Sequence, residues 1–126
     1  MTVELLPGWS LAVDRGPDWL FVRPIPLQHG DTEEVELAEA IWELCEQHLT
    51  YRVVLEFEEV AMLRSWLVGQ LVLLKKRLCS HEGLLRICHL SDNNQMVLKI
   101  CRLDAHFPQY QDRCAAVMGE MPHRPR

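Results

Sequence analysis

The segment VVLEFEEVAMLRSWLVGQLVLLKKRL, Val53 to Leu78, restricts the fold more than any other part of the chain. Val53, Val54, Leu55 and Phe57 form an apolar run between Arg52 and the Glu58–Glu59 pair, which is the pattern of a strand in a covered sheet. Beyond Val60 and Met62 the period changes, and Leu67, Leu71, Leu74 and Leu78 recur at helical spacing. Ser65 stands at the change of period, where an N-cap hydroxyl would accept a hydrogen bond from a backbone N–H. A hydroxyl at a helix N-terminus is also a place where an added phosphate is electrostatically favoured.

On the N-terminal side, Leu11 and Val13, then Leu20 and Val22, alternate with less apolar neighbours around Arg15-Gly16-Pro17-Asp18, a β-hairpin signal. Pro24 and Pro26 are expected to forbid central pairing and to end the second strand. Gly30-Asp31 launches a first helix, with Asp31 and Glu34 spaced as a capping box. Its apolar face carries Leu37, Ile41, Leu44 and a partly buried His48, flanked by Val35, Ala38, Trp42, Cys45 and Leu49. Glu36, Glu39, Glu43 and Glu46 make the solvated face.

C-terminal to the central segment, Ser80-His81-Glu82-Gly83 stops the helix, and LLRICHL, Leu84 to Leu90, reads as another strand. Ser91 and Asp92 start a third helix with Met96, Val97, Ile100 and Leu103. Phe107 to Tyr110 is expected as a short edge strand, and Cys114 to Met118 as a last helical turn. The expected core includes Val54, Leu55, Leu71, Leu74, Ile87 and Ile100. Strands alternating with helices after a hairpin imply a mixed sheet with helices on it. The boundaries are one domain over 1–118 and a disordered tail over 119–126, MPHRPR having two prolines and no core residue.

Composition narrows the function. With 126 residues, 48% of them hydrophobic, the chain can bury a core without staples. A net charge of −5 disfavours nucleic acid and anionic membranes as partners. No apolar run approaches the length of a transmembrane helix, and the N-terminus lacks the basic region of a signal peptide, so a cytoplasmic location is expected. The five cysteines contain no CxxC pair and read as small buried hydrophobes. A metal set of Cys79, His81, Cys88 and His89 is disfavoured because Cys88 and His89 are adjacent in a strand and would point to opposite faces. No metal and no cofactor are therefore expected.

The motifs of catalysis are also missing: there is no GxSxG, no Gly-rich phosphate loop and no HExxH. Glu56 could face a cleft but stands as a lone carboxylate, and nothing in the sequence brings His81, His89 and His106 together. The chain reads as a non-enzyme.

From Trp9 to Cys114 the order of elements resembles the STAS domain family, the bacterial anti-sigma factor antagonists and their relatives. In that family a hydrophobic strand leads into an Asp-Ser-Ser-Gly-Leu turn that opens the second helix. Here RVVLEF is the strand and EEVAMLRSWLVGQL the turn and helix start, with Ser65 matching the serine phosphorylated in the antagonists. The later GLLRICHLSDNNQMVLKICRLDAHFPQY resembles the family's strand, helix start, Leu-Asp turn and final Phe-Pro. Arg64 stands where the family has its acid, Trp66 replaces the second serine, and Leu67 replaces the glycine. The resemblance implies an α/β (α+β) fold: a mixed β-sheet of four or five strands flanked by three or four helices. It also implies an interaction module in a partner-switching pathway, with an anti-sigma factor or related serine kinase, and a phosphatase, as partners. The alternatives within the resemblance are a nucleotide- or small-ligand-sensing domain and a degenerate scaffold without phosphoryl switching.

Helix geometry adds a surface. With Leu67, Leu71, Leu74 and Leu78 inward, Trp66, Gly69, Leu73 and Arg77 fall on the far side beside Arg64 and Ser65. These six residues are the candidate partner-binding surface, with a homodimer contact as one use of it; the competing expectation is that Trp66 folds back over the sheet edge.

Overall fold

The computed structural model describes residues 2–5, 8–27 and 34–119. The chain runs β1 (Thr2–Leu5), β2 (Trp9–Arg15), β3 (Leu20–Pro26), α1 (Leu37–His48), β4 (Arg52–Glu56), α2 (Ser65–Cys79), β5 (Leu84–Cys88), α3 (Asp92–Ile100), β6 (Gln109–Tyr110) and α4 (Arg113–Met118). The strands lie in sequence order in one six-stranded sheet. Pairing is antiparallel from β1 to β3 and parallel from β3 to β6, so the sheet is mixed. It holds more strands than the four or five expected, because Thr2–Leu5 adds a strand against β2.

The two faces of the sheet bury different amounts of apolar surface. Alternate residues of each strand, among them Leu11 and Val13, Leu20 and Val22, Val53 and Leu55, and Leu85 and Ile87, meet the buried stripes of α1, α2 and Leu98 of α3 in one core. The opposite face carries a smaller cluster of Trp19, Phe21, Val54, Cys88 and Tyr110 under Ala116 of α4. Val54, Leu55, Leu71, Leu74 and Ile87 are buried as expected, but Ile100 is 74% exposed. Ile100 ends α3, which turns only Asn94 and Leu98 fully inward.

The prolines of β3 do not end it at Pro24. Leu27 N–H donates to Gly8 C=O, so with a period of two the nitrogens of Pro24 and Pro26 face away from β2. On that side the pairing with β4 stops at Val22, opposite Leu55. The strand continues to Pro26 with no ladder donor lost.

Helix α1 begins at Leu37, later than expected, with Glu34–Glu36 preceding it. Asp31 of the expected capping box lies outside the described residues, as does the tail from Glu120. Leu49, expected beside the apolar face, is a left-handed C-cap and 80% exposed. At the end of α2 the sequence requires glycine at position 83, since a Cβ there would lie 2.1 Å from the Tyr51 carbonyl oxygen. No described helix is long and apolar enough to cross a membrane.

Candidate functional site

The turn between β4 and α2 is tied down from below. Phe57, Val60 and Leu63 are buried, which leaves Glu58, Glu59, Ala61 and Met62 outside. Phe57 N–H donates to the Cys88 carbonyl at 3.1 Å, and Val60 N–H to the Phe57 carbonyl at 3.1 Å. Asn94 of α3, 1% exposed, completes the hold. Its Oδ1 accepts from Leu63 N–H at 2.8 Å and its Nδ2 donates to the Val60 carbonyl at 2.9 Å. A buried amide with both ends paired fixes a loop that has no ladder of its own. The sequence marked α3 as an amphipathic helix and missed Asn94; the signal was a polar residue at an inward position, four residues before Leu98.

Ser65 is exposed and is the first residue of α2, so it does not cap the helix. The N-cap is Arg64, in extended conformation, with no side-chain hydrogen bond to the helix. Its carbonyl accepts from the N–H groups of Leu67 and Val68, both at 3.0 Å. No acidic residue occupies the first turn of α2. The positive end of the helix dipole is therefore without a counter-charge on its own first turn, and the exposed Ser65 sits there.

The remaining surface residues separate. Trp66 is half-buried, edge-on to Trp9 of β2 with ring centroids 5.7 Å apart. Its Nε1 is buried with no hydrogen-bond partner among the described residues. Trp66 thus folds back over the sheet, but it also lines a groove of about 580 Å³ together with Gly69, Gln70, Leu73 and the Glu34–Glu36 segment. Leu73 is 56% exposed, and a side chain at Gly69 would meet nothing within 4 Å. Arg77 stands apart, paired with Glu39 at 2.5 Å and stacked over Trp42, where it joins α2 to α1. Gln70 Oε1 accepts from Ala38 N–H at 2.8 Å, so α2 supplies the bond that α1's own N-cap, Glu36, does not make.

On the opposite face Glu56 is buried but not alone. Arg113 donates to it through Nε at 2.9 Å and Nη2 at 2.7 Å, and also reaches Asp14 at 3.0 Å. These bonds raise the guanidinium's already high affinity for its proton. Burial pushes the thiols of Cys45 and Cys88 up to about 12. Only those two of the five cysteines are buried; Cys79, Cys101 and Cys114 are exposed, contrary to the expectation. The opposite-face argument for Cys88 and His89 also fails. His89 has φ +59°, which breaks the strand alternation and brings its ring nitrogen to the Cys88 side. Cys79 and His81 do not join them among the described residues. His81 packs on Trp42, and among the described residues His81, His89 and His106 do not come together as one ligand set.

No family model matches the sequence, and no curated protein matches it. The fold does match solved structures. A putative anti-sigma factor antagonist from Thermotoga maritima superposes with a TM-score of 0.72 at 14% identity, covering 86% of this chain and 92% of that one. An anti-sigma factor antagonist from Mycobacterium paratuberculosis gives 0.70 at 16% identity, over 92% and 97% of the two chains. The Bacillus cell fate determinant SpoIIAA in its phosphorylated form gives 0.62 at 13% identity, over 86% and 98%. The chain has a STAS-like fold, shared with anti-sigma factor antagonists.

Proposed function

We propose that this chain is a non-enzymatic protein-interaction module, an antagonist-like STAS domain of a partner-switching pathway, with Ser65 as its phosphorylation site. The observation that carries the reading is the exposed Ser65 hydroxyl at the open N-terminus of α2, above a turn clamped by Asn94. A phosphate on Ser65 would carry nearly two negative charges to the positive end of the helix, beside the Arg64 cation. The fold shared with anti-sigma factor antagonists supports a partner of the anti-sigma factor or serine kinase class, with a phosphatase to reverse the charge. The partner surface runs from Arg64 and Ser65 over the groove of Trp66, Gly69 and Leu73 towards Arg77. Trp66 and Arg77 are of the residue types enriched among those that dominate binding energy, and the notch at Gly69 leaves room beside Trp66 for a partner side chain.

The test is to incubate the purified chain with lysate of its native host and labelled ATP, then map the phosphate. Label at Ser65, absent in Ser65→Ala, is the expected result. In parallel, immobilised Ser65→Ala should retain an ATP-binding kinase that Ser65→Asp releases. Equal retention by both variants, with no label at Ser65, removes the switch.

A further inference from the structure

We propose that Glu56, Cys88 and His89 form a binding site for a borderline transition-metal dication of the zinc class, between the ends of β4 and β5. One carboxylate oxygen, the thiol sulfur and one imidazole nitrogen all lie within 4.8 Å of one another. Bonds of about 2.0–2.3 Å in a tetrahedral set require these atoms to close by roughly 1 Å, a side-chain adjustment. The sheet holds two of the three in place, since Glu56 and Cys88 are register partners in the β4–β5 pair. The third is brought in by the backbone: φ +59° at His89 is a conformation that a non-glycine residue rarely takes.

The donor set chooses the ion. Sulfur and imidazole exclude magnesium and calcium as natural occupants, and a mixed S, N, O set suits zinc. Binding forms a bond from Cys88 Sγ to the metal and sends its proton to solvent. The thiolate, the Glu56 carboxylate and Asp14, which Arg113 also holds, then carry three negative charges against the dication and the guanidinium. Arg113 does not block the site, because each carboxylate oxygen has a second lone pair beyond the one facing the guanidinium. It acts as the outer partner that orients a ligating carboxylate. His89 is half-buried while Glu56 and Cys88 are buried, so access from solvent is along the His89 side, where the fourth position would be open.

The inference is independent of the Ser65 reading, and its test uses the whole chain, reduced and freed of metal with a chelator. Co²⁺ serves as the spectroscopic probe and Zn²⁺ as the competitor. Saturable binding of Co²⁺ with thiolate-to-cobalt charge-transfer absorption, abolished by stoichiometric Zn²⁺, is expected. Cys88→Ser should lose the charge-transfer band, and Cys79→Ser and Cys101→Ser should keep it. Since Cys88 is buried and its replacement could disturb the fold, His89→Gln at a half-buried position is the second arm. It should weaken Co²⁺ binding by about tenfold or more, since it removes one of the three protein ligands. Absence of the band in the unmodified chain, its survival in Cys88→Ser, or unchanged affinity in His89→Gln overturns the proposal.

Discussion

Helices α2 and α3 each follow a parallel strand and each start at a serine, yet the two serines do opposite things. Ser91 precedes α3 as its N-cap, and its Oγ accepts from Asn94 N–H at 3.1 Å. Asp92 adds an acidic residue to that first turn. Ser65 has slipped one place inward, to the first helical residue of α2, where it caps nothing and no acid follows. Helix α3 satisfies its own start and then, through the Asn94 side chain, holds the turn before α2 as well. Helix α2 leaves its start open and spends a side chain, Gln70, on the start of α1. A start held from outside can stay in place while its hydroxyl remains available, which is what a modification site requires.

If α2 is kept in place by packing rather than by its cap, the largest effect belongs to its buried stripe. Leu74, 1% exposed, replaced by Ala should cost about 2–5 kcal/mol in chemical denaturation. A loss below about 0.5 kcal/mol, the range of surface sites, would mean that the stripe does not anchor the helix. Next comes Asn94→Ala, which leaves Leu63 N–H and the Val60 carbonyl without their partner. Each buried group left unpaired costs about 1–3 kcal/mol, less whatever water recovers. Amide exchange should quicken at residues 60–65 in this variant; quickening confined to α3 would show that the turn before α2 holds itself.

The same contrast explains what could be read without coordinates. The alternation of β2 and β3, the β4–α2 switch of period and the Ser91 cap are local signals, and each element stands where its pattern put it. The α2 cap was misplaced by one residue because Arg64 and Ser65 both fit a helix start, and only backbone dihedrals separate the N-cap from the first helical residue. Asn94 left only the weak signal of a polar residue at an inward position, since its value lies in two backbone groups thirty-odd residues away. Glu56 looked like a lone carboxylate because its partner, Arg113, is 57 residues further along. His89 was sent to the wrong face by the rule of alternation, which holds only while φ stays in the extended region. Trp66 fell between two readings; the structure shows it folded back edge-on to Trp9, with its other side lining a groove.

The two serines should differ in their own right. Ser91→Ala removes an oxygen that accepts from Asn94 N–H, and should cost about 0.5–2 kcal/mol. Because Asn94 then loses part of its own anchorage, the loss should be accompanied by faster exchange at Leu63. An unchanged Leu63 would separate the cap of α3 from the clamp on the turn.

The smallest effects are expected at Ser65. With no capping bond to lose, Ser65→Ala should fall within about 0.5 kcal/mol of the unmodified chain, in contrast to Ser91→Ala. Ser65→Asp places a carboxylate at the positive end of a helix that has no acid in its first turn, and should gain about 0.3–1 kcal/mol at low ionic strength. Added salt should erase most of that gain, since the residue is exposed and its charge is screened. A one-residue offset between the two starts is what separates these outcomes. If Ser65→Ala costs as much as Ser91→Ala, Ser65 is a cap in solution, and its hydroxyl is engaged with the backbone rather than free for phosphate. If Ser65→Asp destabilises at every salt concentration, a carboxylate elsewhere on the turn, such as Glu58 or Glu59, already occupies the field of the dipole, and a phosphate would be repelled where it is proposed to be welcome.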